Sequence, residues 1–347
     1  ELPWYVSETY VYHRLLEATG YFKPGTKGYG FDVFAAEKKE ALEQALPQVD
    51  VRMQTCMQAK GKWSFQDFKS LLHMSLWGNQ GDSSLFTVQD MSSKGISDVE
   101  QSRLIVDDSS LSFLILDRKQ VPVIHIFNDN SGMELVSDLA LAHYLVSSKP
   151  SSTVVLQLKP YPFFVSDATV ADVHATIETL RLSSNANQQQ VAADLLQYIQ
   201  DGRIRLQGDG DLNFFLASPK PMWEMPLNVR DSLADVDLVI CKGDLMYRKL
   251  LGDRTWNTNE LFQDIISYFP CSVTALRTCK APLAIGVDDE ASERLSKASP
   301  SWMVNGEYGM IQFCLPPILY DLQVSDSLIR INMDEEASIQ RMQGMMR

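Results

Sequence analysis

Four places in this chain gather acids, amides and cations in a pattern that could do chemistry: Asp129-Asn130, Asp167, Lys242-Gly243-Asp244, and Arg277-Thr278-Cys279-Lys280. Each follows an apolar segment with strand character. The first is the plainest. Val121 to Phe127 is rich in β-branched residues and reads as a strand buried on both faces. It breaks at Asn128-Asp129-Asn130-Ser131-Gly132. Helical spacing then begins with Met133, Leu135, Val136 and Leu139. Ser131 is the expected N-cap, and Glu134 suits the positive end of the helix dipole. Two oxygen-bearing side chains at the carboxyl end of a strand suit a hard cation. The same residues also favour an ordinary polar turn, so the other strand ends must decide.

In a parallel sheet those ends lie along one edge. Asp129, Asn130 and Asp167 would hold Mg²⁺ or Mn²⁺ and keep positions open for water and phosphate. Lys280 and Arg248 would neutralise phosphate charge. That is a set for metal-assisted phosphoryl transfer or hydrolysis. No GxxxxGK[ST] loop and no GxSxG elbow is present, which sets aside P-loop enzymes and α/β-hydrolases. Cys241 and Cys279 adjoin strand cores and read as buried, inert thiols.

The elements that must position these groups follow from periodicity. Residues 1–105 read as a helical N-terminal region, with core-forming Met and aromatic stripes and a partly buried His73. The stretch 86–108 reads as a polar connection. Over 106–315 strands alternate with helices. VPVIHIF, STVVLQLK, RIRLQGDG, NFFLAS, VDLVICKGD, CSVTALRTCKAP and EYGMIQFCL read as strands, and FFVSDAT leads into a helix beginning at Thr169. About five strand–helix units predict a three-layer α/β/α sandwich with a mostly parallel sheet, rather than a closed eightfold barrel. Residues 316–347 form a polar tail.

Composition narrows the partners. The chain of 347 residues carries a net charge of −13, which makes nucleic acid a poor partner. No apolar run approaches the roughly 20 residues of a membrane span, and no signal peptide is visible. The chain begins at Glu1, so targeting is not judged from it. Five scattered cysteines fit a reduced intracellular protein. The expected location is the cytoplasm, with the nucleus also open. The oligomeric state is not legible.

Taken in order, Trp77-Gly78-Asn79, the DNSGxEL turn at Asp129 to Leu135, FVSD ending at Asp167, KGDLxYRKLxGD from Lys242 to Asp253, and RTxK at Arg277 to Lys280 resemble the damage-control phosphatase family. More narrowly, they resemble its acidic residue methyltransferase-like subgroup, within the domain of unknown function 89. The resemblance runs to about Cys314. It implies a methyltransferase-like α/β/α domain beside a helical region. It further implies a Mn²⁺- or Ni²⁺-dependent phosphatase, with Mg²⁺ or Co²⁺ as substitutes, acting on small sugar phosphates such as fructose 1-phosphate and fructose 6-phosphate. The metal ligands it implies are Asp129, Asn130 and Asp167, and the catalytic set is Asp129, Asp167 and Lys280. Implied substrate contacts are Asp129, Asn130, Asp244, Tyr247, Arg248 and Lys280. Glu134 matches a position associated with S-adenosylmethionine, and Asn79 and Asp82 match a turn that would close over substrate. Two departures touch substrate choice: Met246 stands where the family has Asn, and Gln80 where it has Lys.

Two other functions remain open at this point. One is an S-adenosylmethionine-dependent protein-glutamate O-methyltransferase. Its support is weak, because the first strand-to-helix turn offers only Gly132 for close cofactor approach. The other is a binding protein with a degenerate site. The intact Asp129, Asn130, Asp167 and Lys280 set argues against it, since clustered acids repel one another without a cation.

Overall fold

Seven strands form one sheet in the order β1-β7-β6-β5-β2-β3-β4. They are β1 (Leu104–Asp107), β2 (Val123–Phe127), β3 (Thr153–Gln157), β4 (Ile204–Gln207), β5 (Leu238–Lys242), β6 (Val273–Thr278) and β7 (Gly309–Cys314). This is a computed structural model, and it describes residues 3–79 and 101–316. All neighbouring pairs are parallel except β6 and β7. The mostly parallel three-layer expectation holds. Strands β2 to β7 form from segments read as strands, and β1 at the edge comes from the stretch read as a connection.

The chain winds outward from β2 in both directions, to β3 and β4 on one side and to β5 and β6 on the other. The gap between β2 and β5 is therefore a topological switch point, the place where open α/β sheets bind ligands. Asp129 follows β2 there, and Gly243 follows β5.

Helices cover both faces. Helix α1 (Trp4–Thr19) packs through Tyr5 with Phe163 and Ala217, and on one side of the sheet lie α2 (Ala35–Ala59), α3 (Phe65–Leu76), α4 (Ser109–Asp117), α5 (Met133–Ser148), α6 (Val170–Leu182) and α7 (Ala186–Gln200). Most of their apolar residues join Ile124, Ile126, Leu238 and Ile240 of the sheet in one core. The other face carries α8 (Asp211–Leu216), α9 (Leu227–Asp231), α10 (Gly243–Leu251) and α11 (Phe262–Ile266), packed on Phe127, Val239 and Cys241. A last helix, α12 (Asp289–Ala298), packs through Leu295 near Trp302. Alternate residues of β2 and β5 thus face opposite cores, as the pleat requires.

Helix α5 is sandwiched between the sheet and helices α2 and α3, and is buried along nearly its whole length. Its polar residues are consequently paired. His143 accepts or donates to Cys56 Sγ through Nδ1 (3.2 Å) and to Asp194 Oδ2 through Nε2 (2.8 Å). This Cys-His-Asp line resembles a nucleophilic triad. However, burial raises the Cys56 thiol far above its ordinary range and Cys56 is fully enclosed, so the line is a tie between α2, α5 and α7.

Several expected elements differ. NFFLAS is helix α8, not a strand. Asn213 accepts from Gly210 N–H (3.0 Å) and donates to Leu158 and Gln207 carbonyls, which nucleates a helical turn. FFVSD is not a sheet strand. It is a loop whose Asp167 makes an isolated bridge with Asn130. Gly132, not Ser131, occupies the N-cap of α5. Ser131 N–H instead donates to Ser166 O (2.7 Å). Among the described residues no helix is long and apolar enough to cross a membrane. The side chain of Asn79, the turn through Gln80 and Asp82, most of the 86–108 connection, and nearly all of the tail lie outside the described residues.

Candidate active site

The loop after β3 folds back over the turn after β2. Lys159 N–H donates to Ala168 O, and Ala168 N–H donates to Asp129 O, both at 2.9 Å. This backbone stitching brings Asp167, 38 residues further along the chain, against Asp129 and Asn130. Asp129 is 5% exposed and Asp167 2%. Between them lies the Lys159 ammonium, 4.0 Å from Asp129 Oδ1 and 3.7 Å from Asp167 Oδ1, and also donating to Asn128 O at 3.1 Å.

The charge line continues inward. Asn130 Nδ2 donates to Asp129 Oδ2 and Glu134 Oε2, each at 3.0 Å, while its Oδ1 accepts from Ser166 Oγ at 2.6 Å. Glu134 Oε1 pairs with Lys242 Nζ at 3.0 Å. Lys242 also pairs with Asp138 at 3.0 Å and donates to Ser75 O. Asp138 is further held by Ser75 Oγ and Asn128 Nδ2.

Four buried carboxyls, Asp129, Asp167, Glu134 and Asp138, therefore face two buried ammoniums, Lys159 and Lys242. Full ionisation would leave two negative charges uncompensated. Burial and the nearby Glu134 push Asp129 up to about 8, with Lys159 opposing. Burial likewise raises Asp167 and Asp138, against Lys159 and Lys242 respectively. Burial works against the Lys242 charge, but Asp138 and Glu134 outweigh it and raise its pKa.

This donor set fits a divalent cation. The deficit is two charges, and Asp129 and Asp167 offer hard oxygens on either side of Lys159, while Asn130 beside them turns its amide N–H to Asp129 and would add its oxygen on flipping the amide. Among the described residues no three His, Cys, Asp or Glu side chains form a metal-holding group. The cluster has two carboxylates and an amide at the crevice, with the remaining acids behind them.

A family model described as the damage-control phosphatase ARMT1-like domain matches residues 1–295. The chain belongs to the damage-control phosphatase ARMT1-like family. It is 33% identical to damage-control phosphatase ARMT1 of Mus musculus over 331 residues, covering 90% of this chain and 74% of that protein. The Homo sapiens protein of the same name is 31% identical over 333 residues with the same coverage. A solved DUF89 family protein from Pyrococcus horikoshii is 16% identical, with a TM-score of 0.41, covering 82% of this chain and 91% of that one.

Among the residues to which the damage-control phosphatase motifs pointed, the structure brings Asp129, Asn130, Asp167 and Glu134 into one cluster. Asp244 lies one residue beyond Gly243, where a side-chain carbon at Gly243 would overlap Asp129 Oδ2. Its Oδ1 accepts from Arg277 Nε (2.7 Å) and from the Lys280 backbone (3.3 Å), so it fastens the RTxK loop to α10. The Lys280 side chain is exposed at the rim. Tyr247 is turned away. It is 1% exposed, its hydroxyl donates to Gln312 Oε1 (2.7 Å), and Arg277 stacks on its ring, because it lies on the core-facing side of α10. In this arrangement the Tyr247 hydroxyl is committed to the core, and the residue meets the crevice only by way of Arg277, which pairs with Asp244. Arg248 faces outward, paired with Asp253 (2.7 Å) and stacked on Trp4 (4.1 Å).

Lys159, Asp138, Asn128 and Ser75 were not singled out from sequence. A signal existed for two of them. Lys159 stands just past a buried strand, as Lys242 ends another, and Asp138 lies one helical turn from Glu134 on an otherwise apolar helix.

Proposed function

We propose that this chain is a metal-dependent phosphatase that hydrolyses small sugar phosphates, with fructose 1-phosphate and fructose 6-phosphate as first candidates. The observation that carries the reading is the charge deficit at the switch point: Asp129 and Asp167 converge there with Asn130, and with Glu134 and Asp138 behind them the four carboxyls, when ionised, carry two negative charges more than Lys159 and Lys242 supply. Family membership supports the phosphoester class, and the sugar class rests on the motif resemblance. A bound Mn²⁺, Ni²⁺, Mg²⁺ or Co²⁺ ion would supply Lewis-acid stabilisation of the phosphoryl oxygens. Asp129, Asn130 and Asp167 would hold it.

The remaining work falls to the chain. Asp129, or a water hydrogen-bonded to it, provides the oxygen that bonds to phosphorus as the ester P–O bond breaks. Lys159 keeps Asp129 and Asp167 oriented. Lys280 and Arg248 at the rim neutralise the phosphate. By the water route the attacking water's proton passes to Asp129 and on to the departing sugar alkoxide, which leaves as an alcohol; by the Asp129 route a water then hydrolyses the aspartyl phosphate, which restores the carboxylate, releases inorganic phosphate and supplies the alkoxide's proton. The cytoplasm is the proposed compartment, supported by the described cysteines being free and buried. The methyltransferase reading gains nothing here, because Glu134 is fully engaged by Lys242 and Asn130.

The test is release of inorganic phosphate from a panel of sugar phosphates, run with each metal and with chelator. Release that chelator abolishes is expected. The double variant Asp129→Ala, Asp167→Ala should lose at least about 10³-fold in kcat/KM, of the order seen when groups acting directly on the reacting centre are removed. Turnover that survives in the double variant would refute the metal assignment.

A further inference from the structure

A cavity of about 240 Å³ opens between the start of α1, the Pro219-Lys220-Pro221 loop and α10. It is smaller than the roughly 300–1,000 Å³ clefts of drug-sized ligands, a volume suited to a compact polar molecule. Lys220 and Arg248 line it against a single acid, Asp253, while burial lowers the pKa of the third basic residue, Lys249, well below the ordinary lysine value. In a chain of net charge −13 this is a locally cationic hollow. Lys249 Nζ is committed to the carbonyls of Phe215, Leu216 and Ser218. Arg248 gives Nε and Nη2 to Asp253, and Nη1 makes no hydrogen bond among the described residues.

Tyr5 forms the wall nearest the acids. Its side chain is 7% exposed, and its hydroxyl has no hydrogen-bond partner among the described residues. A buried hydroxyl left without a partner is uncommon and costly. The ring is fixed edge-on to Phe163 (6.4 Å) and against Phe164 (6.2 Å), and Phe164 N–H donates to Asp167 Oδ2 (2.9 Å). Tyr5 thus stands on the loop that presents Asp167. Burial raises its pKa well above the ordinary phenol, and the charges of Asp167 and Asp129 push the same way, so it remains a donor. Trp4 beside it stacks on Arg248, so the first turn of α1 places a neutral donor and braces a cation around one hollow.

We propose that Tyr5 is a substrate-binding residue, its hydroxyl donating a hydrogen bond to a phosphoryl oxygen of a small phosphate ester seated between α1 and α10. The proposal rests on the phosphatase reading for its ligand class, and the N-terminal helix becomes part of the site. Tyr5→Phe removes the hydroxyl and keeps the ring packing. Binding of inorganic phosphate and of fructose 1-phosphate to the full chain, followed by calorimetry, should weaken about tenfold, as for loss of one hydrogen bond to a charged group. The unfolding temperature should not fall. An unchanged Kd, or a wild-type chain that binds neither probe, would overturn the assignment. A weakened Kd in a protein that releases no phosphate from any ester would retain Tyr5 as a binding residue and reject the phosphatase reading instead.

Discussion

Asp107 and Asp108 stand side by side at the end of β1 and meet opposite surroundings. Burial works against the Asp107 charge, but His73 (3.2 Å) and Lys69 (2.8 Å) beside it outweigh that and hold its carboxyl below the usual range. Among the described residues no cation pairs with Asp108. Burial pushes it up to about 6, although Phe313 N–H donates to it (3.0 Å). Its folded pKa lies above its unfolded value, so its contribution to stability is present below about pH 4 and is lost as pH rises through about 6. Asp108→Asn keeps an acceptor for Phe313 and removes the titration. The variant's stability relative to the wild type should therefore grow between pH 4 and 7, reaching about 2 kcal/mol. Urea midpoints across that range check this, and parallel curves for the two proteins would contradict it.

At the scale of elements, the junction of β5 and α10 controls the site. Gly243 begins α10 at φ +86°, with the Asp129 carboxylate packed against its backbone. Gly243→Ala adds strain and drives a side-chain carbon into Asp129 Oδ2. Gly61 offers the comparison, because it has φ +75° with open space around it. Gly61→Ala should cost stability through backbone strain alone, about 1–3 kcal/mol, and leave phosphate release unaltered. Gly243→Ala should lose a similar stability and, in addition, more than about 100-fold in kcat/KM, because an ångström of misplacement at a reacting group is that costly. Equal activity in the two variants would show that Asp129 needs no support from α10.

Over the whole molecule, the helical N-terminal region and the sheet do not have separate interiors. Val49, Met53, Phe68, Leu71 and Leu72 of α2 and α3 share one core with Leu139 and Leu141 of α5 and with Ile124 and Ile126 of β2. Lys38 of α2 also pairs with Asp172 of α6 at 2.9 Å, with its side chain 4% exposed. Such a chain should unfold in one cooperative step. Leu72→Ala should lower the stability of the whole by about 2–5 kcal/mol. Far- and near-ultraviolet circular dichroism should report the same urea midpoint. Two separated transitions would show the helical region to be an independent unit.

The α/β class, the strand ends and the order of the family motifs were legible in the chain, because each depends on residues close in sequence. Val121 to Phe127 declares a buried strand by its own composition, and Asp129-Asn130 must follow it. NFFLAS was misread because its outcome depends on Asn213 reaching carbonyls some fifty residues away. The partners of the cations were hidden for the same reason. Lys159 meets Asp129 only because the 159–168 loop folds back across the turn after β2, and Lys242 meets Glu134 from 108 residues away. Tyr5, at the other end of the chain, meets the Asp167 loop through aromatic packing that leaves no periodic trace. Sequence alone determined which acids stand at the sheet's edge. Tertiary structure decided which charges remain unbalanced there and what roofs them, because electrostatic balance depends on distance in space, and that distance is set by the packing of segments remote along the chain.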